Sequence, residues 1–265
     1  MRKLLFILIL ALCAPAWGAA AYVQQVSGFA IVSASSYTFA FASNIASTDG
    51  VACLLTWTGV TTITSLVDGN SAGYTTIDGP LSYTPFNTTY SQTFILTNNA
   101  GGTGSKSLTA TWPSAATDLI YNCHEASGVS TTSGLGAVDV HALSGQTNPG
   151  TGTNAVTTTG VITTGADYLF GASNDTAIQT DTWTAGTSPN AFTLRSAASA
   201  GQANESFVLT TGASGTVANF TIAQSIAGPV TALIAIKPAG GGGGSGGFGL
   251  GGKGGIGGKG GVGGE

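Results

Sequence analysis

Residues Asp118 to Gly128 read DLIYNCHEASG and set Cys123, His124 and Glu125 side by side. The chain holds only two histidines and three cysteines, so this tripeptide gathers much of its reactive chemistry. A thiol beside an imidazole suggests a nucleophile and its base. With a carboxylate added, it suggests a metal ligand set. Alternation argues against both. In a strand, successive side chains point to opposite faces. Leu119, Tyr121, Cys123 and Glu125 then share one face, and Ile120, Asn122, His124 and Ala126 the other. Cys123 and His124 cannot converge on one atom, and the other histidine, His141, lies in the next predicted strand. Cys123 is therefore read as a core residue or as the partner of Cys53 in a disulfide, which an oxidising compartment would permit. No catalytic residue, metal or cofactor is assigned.

Glu125 stands at the end of an apolar strand. The simplest expectation is that it caps the following turn through the N–H groups of Ser127 and Gly128. The functional alternative is a glycosidase-type acid–base pair, which needs a second carboxylate about 5–10 Å away. Asp118 is too far along the same strand, since seven steps of about 3.3 Å exceed that reach. Asp68, Asp139 and Asp167 qualify only if the fold brings them near. Asp68–Asn70 and Asn174–Thr176 offer oxygen donors of the kind calcium prefers, but both read equally as turns. Aromatic rings are the other candidates, because a flat ring can stack on a sugar. Trp57 belongs to the core by alternation. Trp183, in the polar stretch QTDTWTAGTSPN, and Trp112, at a strand end, are the expected ligand-binding residues. There is no nucleophile elbow, phosphate loop or zinc spacing.

The elements that must position these residues are strands. Short runs rich in Thr, Val, Ile and aromatics recur between clusters of Gly, Asn, Asp, Ser and Pro. Strands are predicted at 37–42, 51–57, 62–67, 74–77, 90–97, 105–112, 118–126, 138–143, 155–163, 167–172, 192–196, 206–210, 216–223 and 230–237. Pro113 is expected to end the sixth of these at Trp112. Val51–Trp57 and Asp118–Ala126 carry apolar residues on both faces and are read as central strands. The Asp68-Gly69-Asn70 and Asn98–Gly102 stretches supply residues that accept positive φ for turns. The pattern is that of an all-β, antiparallel two-sheet sandwich over residues 22–238.

The ends differ in kind. Met1-Arg2-Lys3 followed by an apolar run to Leu12 and by small residues reads as a secretory signal peptide over residues 1–20. The LALC stretch ending at Cys13 resembles a lipidation box, but Leu12 stands where glycine or alanine is wanted. Residues 239–265 contain 18 glycines and close in GGX triplets. Such a segment cannot bury enough apolar area to offset its chain entropy, so a disordered tail is expected. Three-residue periodicity also fits an extended polyproline II helix that could bundle or dock.

Charge excludes some partners. Between Tyr22 and Pro238 there are three basic and ten acidic residues, a net charge of −7. No basic footprint exists for nucleic acid, and no transmembrane segment is expected in the mature chain.

The run VACLLTWTGVTTITSLVDGNSAGYTTI, from Val51 to Ile77, and the run LIYNCHEASGV, from Leu119 to Val129, resemble secreted bacterial surface β-sandwich modules. The turn glycine is displaced here relative to that pattern. The resemblance implies an extracellular jelly-roll or lectin-like, concanavalin-like sandwich, and carries over no site residue. The resulting expectation is an exported, non-enzymatic binding or adhesion module whose partner is a polysaccharide or a cell-surface component. A structural part of a surface layer, fibre or matrix, with the GGX tail as linker or assembly strip, is the alternative. A polysaccharide-acting enzyme using Glu125 is the second.

Overall fold

The computed structural model describes residues 19–82, 88–145, 154–175, 182–198, 201–222 and 228–240. The expected signal segment, apart from its last two residues, lies outside these, as do Cys13 and nearly all of the glycine tail. The described residues form fifteen strands: β1 (Ala21–Ala40), β2 (Gly50–Thr58), β3 (Ser65–Asp68), β4 (Thr75–Thr76), β5 (Leu81–Ser82), β6 (Thr89–Leu96), β7 (Ser107–Ser127), β8 (Val138–Gly145), β9 (Asn154–Thr157), β10 (Tyr168–Asp175), β11 (Trp183–Ala185), β12 (Thr193–Ala198), β13 (Gln202–Val208), β14 (Asn219–Ile222) and β15 (Pro229–Ile236). No helix among them is long and apolar enough to cross a membrane.

The fold is an all-β antiparallel sandwich. The first half of the chain builds one sheet in the order β1-β7-β2-β6-β4, with β3 on β7 and β5 on β6. The second half builds a five-stranded sheet, β12-β13-β10-β15-β8, and a three-stranded sheet, β11-β14-β9. Ala52, Leu54 and Ile95 of the first sheet pack against Tyr168, Phe170, Ala172, Ala232 and Ile234 of the second. The far face of the second sheet packs Leu169 and Leu233 against Ala218, and Ala203 against Trp183, Phe220 and Ile222 of the third sheet.

β2 is central as expected, flanked by β7 and β6. Val51, Cys53, Leu55 and Trp57 enter one core cluster and Ala52 and Leu54 the other, so both faces are buried. Each such large side chain contributes about 1.5–3 kcal/mol on burial. The Trp57 indole N–H also finds a buried partner, donating to the carbonyl of Val60 at 2.6 Å.

The largest departures from the sequence expectation are in two strands. The predicted strands at 105–112 and 118–126 are one continuous strand, β7, and Pro113 does not end it. Ala34 pairs with Ala116 and Ser36 with Thr111, so Pro113, Ser114 and Ala115 stand in a bulge, all three exposed. A bulge leaves residues outside the ladder, which is where a strand tolerates a proline. On the partner strand Ser33 takes a positive φ of 37° at the same bend. Beyond it, the outer half of the β1–β7 pair, joined by β3, folds back so that Phe39, Leu66, Leu108, Ala110 and Trp112 close over Cys53, Leu55 and Cys123. β1 is the second difference: it begins at Ala21 rather than near Tyr37. Its first half is rich in Gln, Ser, Ala and Gly, and its extended form comes from residue-by-residue pairing with β7.

Candidate functional site

The structure separates Cys123, His124 and Glu125 as alternation requires. Cys123 faces Cys53 across β2 and β7, and the two form a disulfide with a Cα–Cα distance of 4.1 Å. Both are fully buried, within the apolar cluster that also holds Leu55 and Trp57. His124 points the other way, into the seam between the first two sheets.

That seam carries a chain of hydrogen bonds with a single direction. Arg195 lies 4.1 Å over the Tyr22 ring and donates through Nε to Ser206 Oγ at 2.8 Å. Ser206 stands beside the Tyr168 phenol, where it offsets part of the rise that burial imposes on that group's pKa. Tyr168 OH lies 3.1 Å from His124 Nδ1, and His124 Nε2 lies 2.6 Å from Asn204 Oδ1. The Asn204 amide nitrogen donates to Asn122 Oδ1 at 2.8 Å, and Asn122 donates to Asn174 Oδ1 at 2.6 Å. Asn174 donates to Thr56 Oγ1 at 2.9 Å, and the Thr56 hydroxyl meets that of Ser91 at 2.8 Å. Because Asn204 presents its oxygen to the ring, His124 Nε2 carries the proton and Nδ1 accepts from Tyr168. Burial drives the His124 pKa down to about 3; the Asn204 bond opposes this and the Arg195 charge adds to it. The imidazole is therefore neutral, with both nitrogens engaged. It serves as a cross-sheet strut and is 1% exposed. Sequence reasoning put Asn122 and His124 on one face but did not see the partner residues. A signal was present in β13, where Gln202, Asn204 and Ser206 put polar groups at every second position.

Glu125 does not cap the turn at Ser127 and Gly128. Its side chain faces the segment between β1 and β2, where Oε1 accepts from the Ala46 N–H at 2.7 Å and Oε2 accepts from the Gln24 amide. Gln24 in turn brackets Ser43, bonding both its N–H and its carbonyl at 3.1 Å. The carboxyl of Asp49 is hydrogen-bonded to Glu125. Two carboxyls can bond only if one keeps its proton, and burial followed by the Glu125 carboxyl raises the Asp49 pKa accordingly. Glu125 thus has a carboxyl partner, but it is Asp49 and none of the three residues considered. A general acid must touch its substrate; Glu125 is 1% and Asp49 7% exposed, and the pair holds a loop instead.

Asp68, Asp139 and Glu205 also accept hydrogen bonds from the protein's own groups. Asp68 accepts from the N–H groups of Asn70 and Ala72 at 2.8 and 2.9 Å and from the Asn99 amide at 3.2 Å. This makes an Asx turn of the DGN stretch rather than an open oxygen cradle. Asn98, Gly101 and Gly102 take the positive φ values expected of their turn. Asn174, the other calcium candidate, is a seam residue of β10, and Thr176 lies outside the described residues. Asp139 and Asp167 pair with each other; burial and the Asp139 carboxyl raise Asp167 to about 7. Asp139 is held low by its bonds from Thr164 and by Lys237, against its own burial. Glu205, fully buried between the second and third sheets, accepts from the N–H of Gly186 at 2.9 Å and of Asn219 at 3.2 Å. Burial raises it to about 8 against those two bonds. Gly171 stands opposite Glu205 in the ladder, and a Cβ there would lie 2.8 Å from Glu205 Cγ, so glycine makes the room this carboxyl occupies. Among the described residues no group of three or more His, Cys, Asp or Glu is placed to hold a metal ion.

Trp112 and Trp183 are not platforms for a ligand. Trp112 is 2% exposed, under the fold-back of β7, and Trp183 is 4% exposed, edge-on to Phe220 at 5.8 Å. Neither ring presents a face to solvent, so the sugar stacking expected of them is corrected. The polar letters around Trp183 hid a short edge strand, β11, whose alternate side chain turns inward.

The fold and the buried chemistry define a disulfide-bonded antiparallel β-sandwich with a polar inter-sheet seam. No protein-family model matches the chain, and no curated protein matches it.

Proposed function

We propose that this chain is an exported, non-enzymatic structural or adhesive module of a cell surface, fibre or matrix. The observation that carries the reading is where the reactive side chains go. Cys53 and Cys123 are joined, His124 is a neutral strut, and Glu125, Asp68 and Glu205 are buried acceptors for the protein's own N–H groups. The disulfide and the predicted signal segment agree with an oxidising destination. The low charge and the Thr- and Ser-rich strands suit a surface that meets neutral polymers or copies of itself. Carbohydrate recognition loses its two stacking residues, so assembly is the stronger half of the reading.

The test is a pair of measurements on the secreted chain. Light scattering of the full chain against a version ending at Pro238 reads assembly through the glycine tail. Depletion from solution by a panel of insoluble polysaccharides reads carbohydrate binding. Assembly of the full chain without depletion supports the structural reading, depletion by one polymer turns it toward adhesion, and release of soluble sugar overturns both.

A further inference from the structure

We infer that the outer edge of β1 is a self-association site, where a second copy of this chain pairs antiparallel through its own β1 and joins two seven-stranded sheets into one. The inference deepens the structural reading above and rests on it.

Exposed sheet edges present unpaired N–H and C=O groups, and proteins blunt them with short strands, charges, prolines or bulges. The other edges of the first two sheets are blunted. On the far side of the first sheet, β4 and β5 have two residues each. In the second sheet, β12 carries Arg195 and a bulge, and β8 carries Asp139 and His141. β1 differs. It is 20 residues long, contains no charged residue and no proline, and pairs only with β7 among the described residues. Its bulges fall between Tyr22 and Gln24, between Ile31 and Ala34 and between Ala34 and Ser36, leaving Gln24–Ile31 as an uninterrupted run. Two of the exposed large apolar residues, Val23 at 44% and Ile31 at 77%, stand on this strand.

The register follows from the ladder. The 4.1 Å Cα separation of Cys53 and Cys123 marks a non-hydrogen-bonded pair, so Cys123 turns its backbone groups toward β1 and bonds Val26. By alternation Gln25, Ser27, Phe29 and Ile31 point their N–H and C=O groups to the open edge. An identical strand run antiparallel satisfies them when Gln25 meets Ile31 and Ser27 meets Phe29 of the other copy, with Gly28 on the two-fold axis. Such an interface is isologous and closes on itself. Self-pairing places every residue of the run against the same run reversed, so it requires a strand without like charges to oppose. That is why the occupant is a second copy rather than a charged partner. The exposed Ile31 then lies along the other copy's strand instead of in water.

The test is size-exclusion chromatography with light scattering on the full secreted chain across a wide concentration range, with Ile31→Lys and Ile31→Pro as variants. Residue 31 is largely exposed, and its N–H is not used by β7, so both variants are expected to keep the parent melting temperature within a few degrees. The expected result is a dimer that becomes a monomer in both. For the register, mixing Gln25→Cys with Ile31→Cys chains should give an oxidised heterodimer, while Ile31→Cys alone should not cross-link. A parent chain that stays monomeric at every concentration overturns the inference, as does an oligomer that neither variant disturbs. Both results leave polysaccharide adhesion and tail-driven assembly to their own measurements, so failure here is distinct from failure of the broader reading.

Discussion

The carboxyl of Asp49, on the segment leading into β2, is hydrogen-bonded to the carboxyl of Glu125 on β7. The pair closes the segment between β1 and β2 onto the sheet, because Glu125 also holds the Ala46 N–H. Glu125→Ala removes an acceptor from a part-buried N–H and is expected to cost about 1–3 kcal/mol. Amide hydrogen exchange should locate the loss, with Ala46 losing protection while the amides of β10 and β15 keep theirs. Equal loss of protection throughout would show that Glu125 supports the whole sheet and not this segment.

The disulfide between Cys53 and Cys123 spans 70 residues of chain. Cross-linking a loop of that size lowers the entropy of the unfolded chain by an amount worth about 4 kcal/mol. The double variant Cys53→Ala, Cys123→Ala should therefore fold with a clearly lower melting temperature. Denaturant titration of the oxidised parent against the variant checks the magnitude.

His124 gives a pH dependence of known sign. Its folded-state pKa, about 3, lies below its ordinary value of 6.5, so the unfolded chain takes up a proton that the folded chain refuses. The stability associated with the neutral ring is fully present above about pH 6.5 and is lost as pH falls toward 3, by roughly 1.4 kcal/mol per pH unit. His124→Gln cannot titrate. The stability gap between parent and variant should shrink over that window, as read by chemical denaturation at pH 7, 6 and 5.

Glu205 slopes the other way. Its pKa is raised from 4.5 to about 8, so the folded chain keeps a proton that the unfolded chain releases. The stability associated with its neutral form is full below about pH 4.5 and is lost as pH rises through 8. Asp167, raised to about 7, has the same sign. Glu205→Gln mimics the neutral carboxyl at every pH. It should gain on the parent between pH 5 and pH 8.5, which paired thermal melts at those two values would show.

Local pattern alone determined a good deal of this protein. Alternation placed Cys123 and His124 on opposite faces and marked β2 and the inner half of β7 as central, because a side-chain period of two is a property of the strand itself. The Asn98–Gly102 turn was legible for the same local reason, since positive φ selects a few residue types. What spans the chain was not legible. The pairing of Glu125 with Asp49 joins residues 76 positions apart, and that of Asp139 with Asp167 joins residues 28 apart; each depends on which strands become neighbours. Pro113 reads as a stop until the bulge between Ala34 and Ser36 gives it a place outside the ladder. Trp112 and Trp183 read as surface rings until the fold-back of β7 carries one into the first core cluster and the packing of the third sheet on the second buries the other. Burial is a property of what packs on top of a residue, and the strands that do so here come from distant parts of the chain.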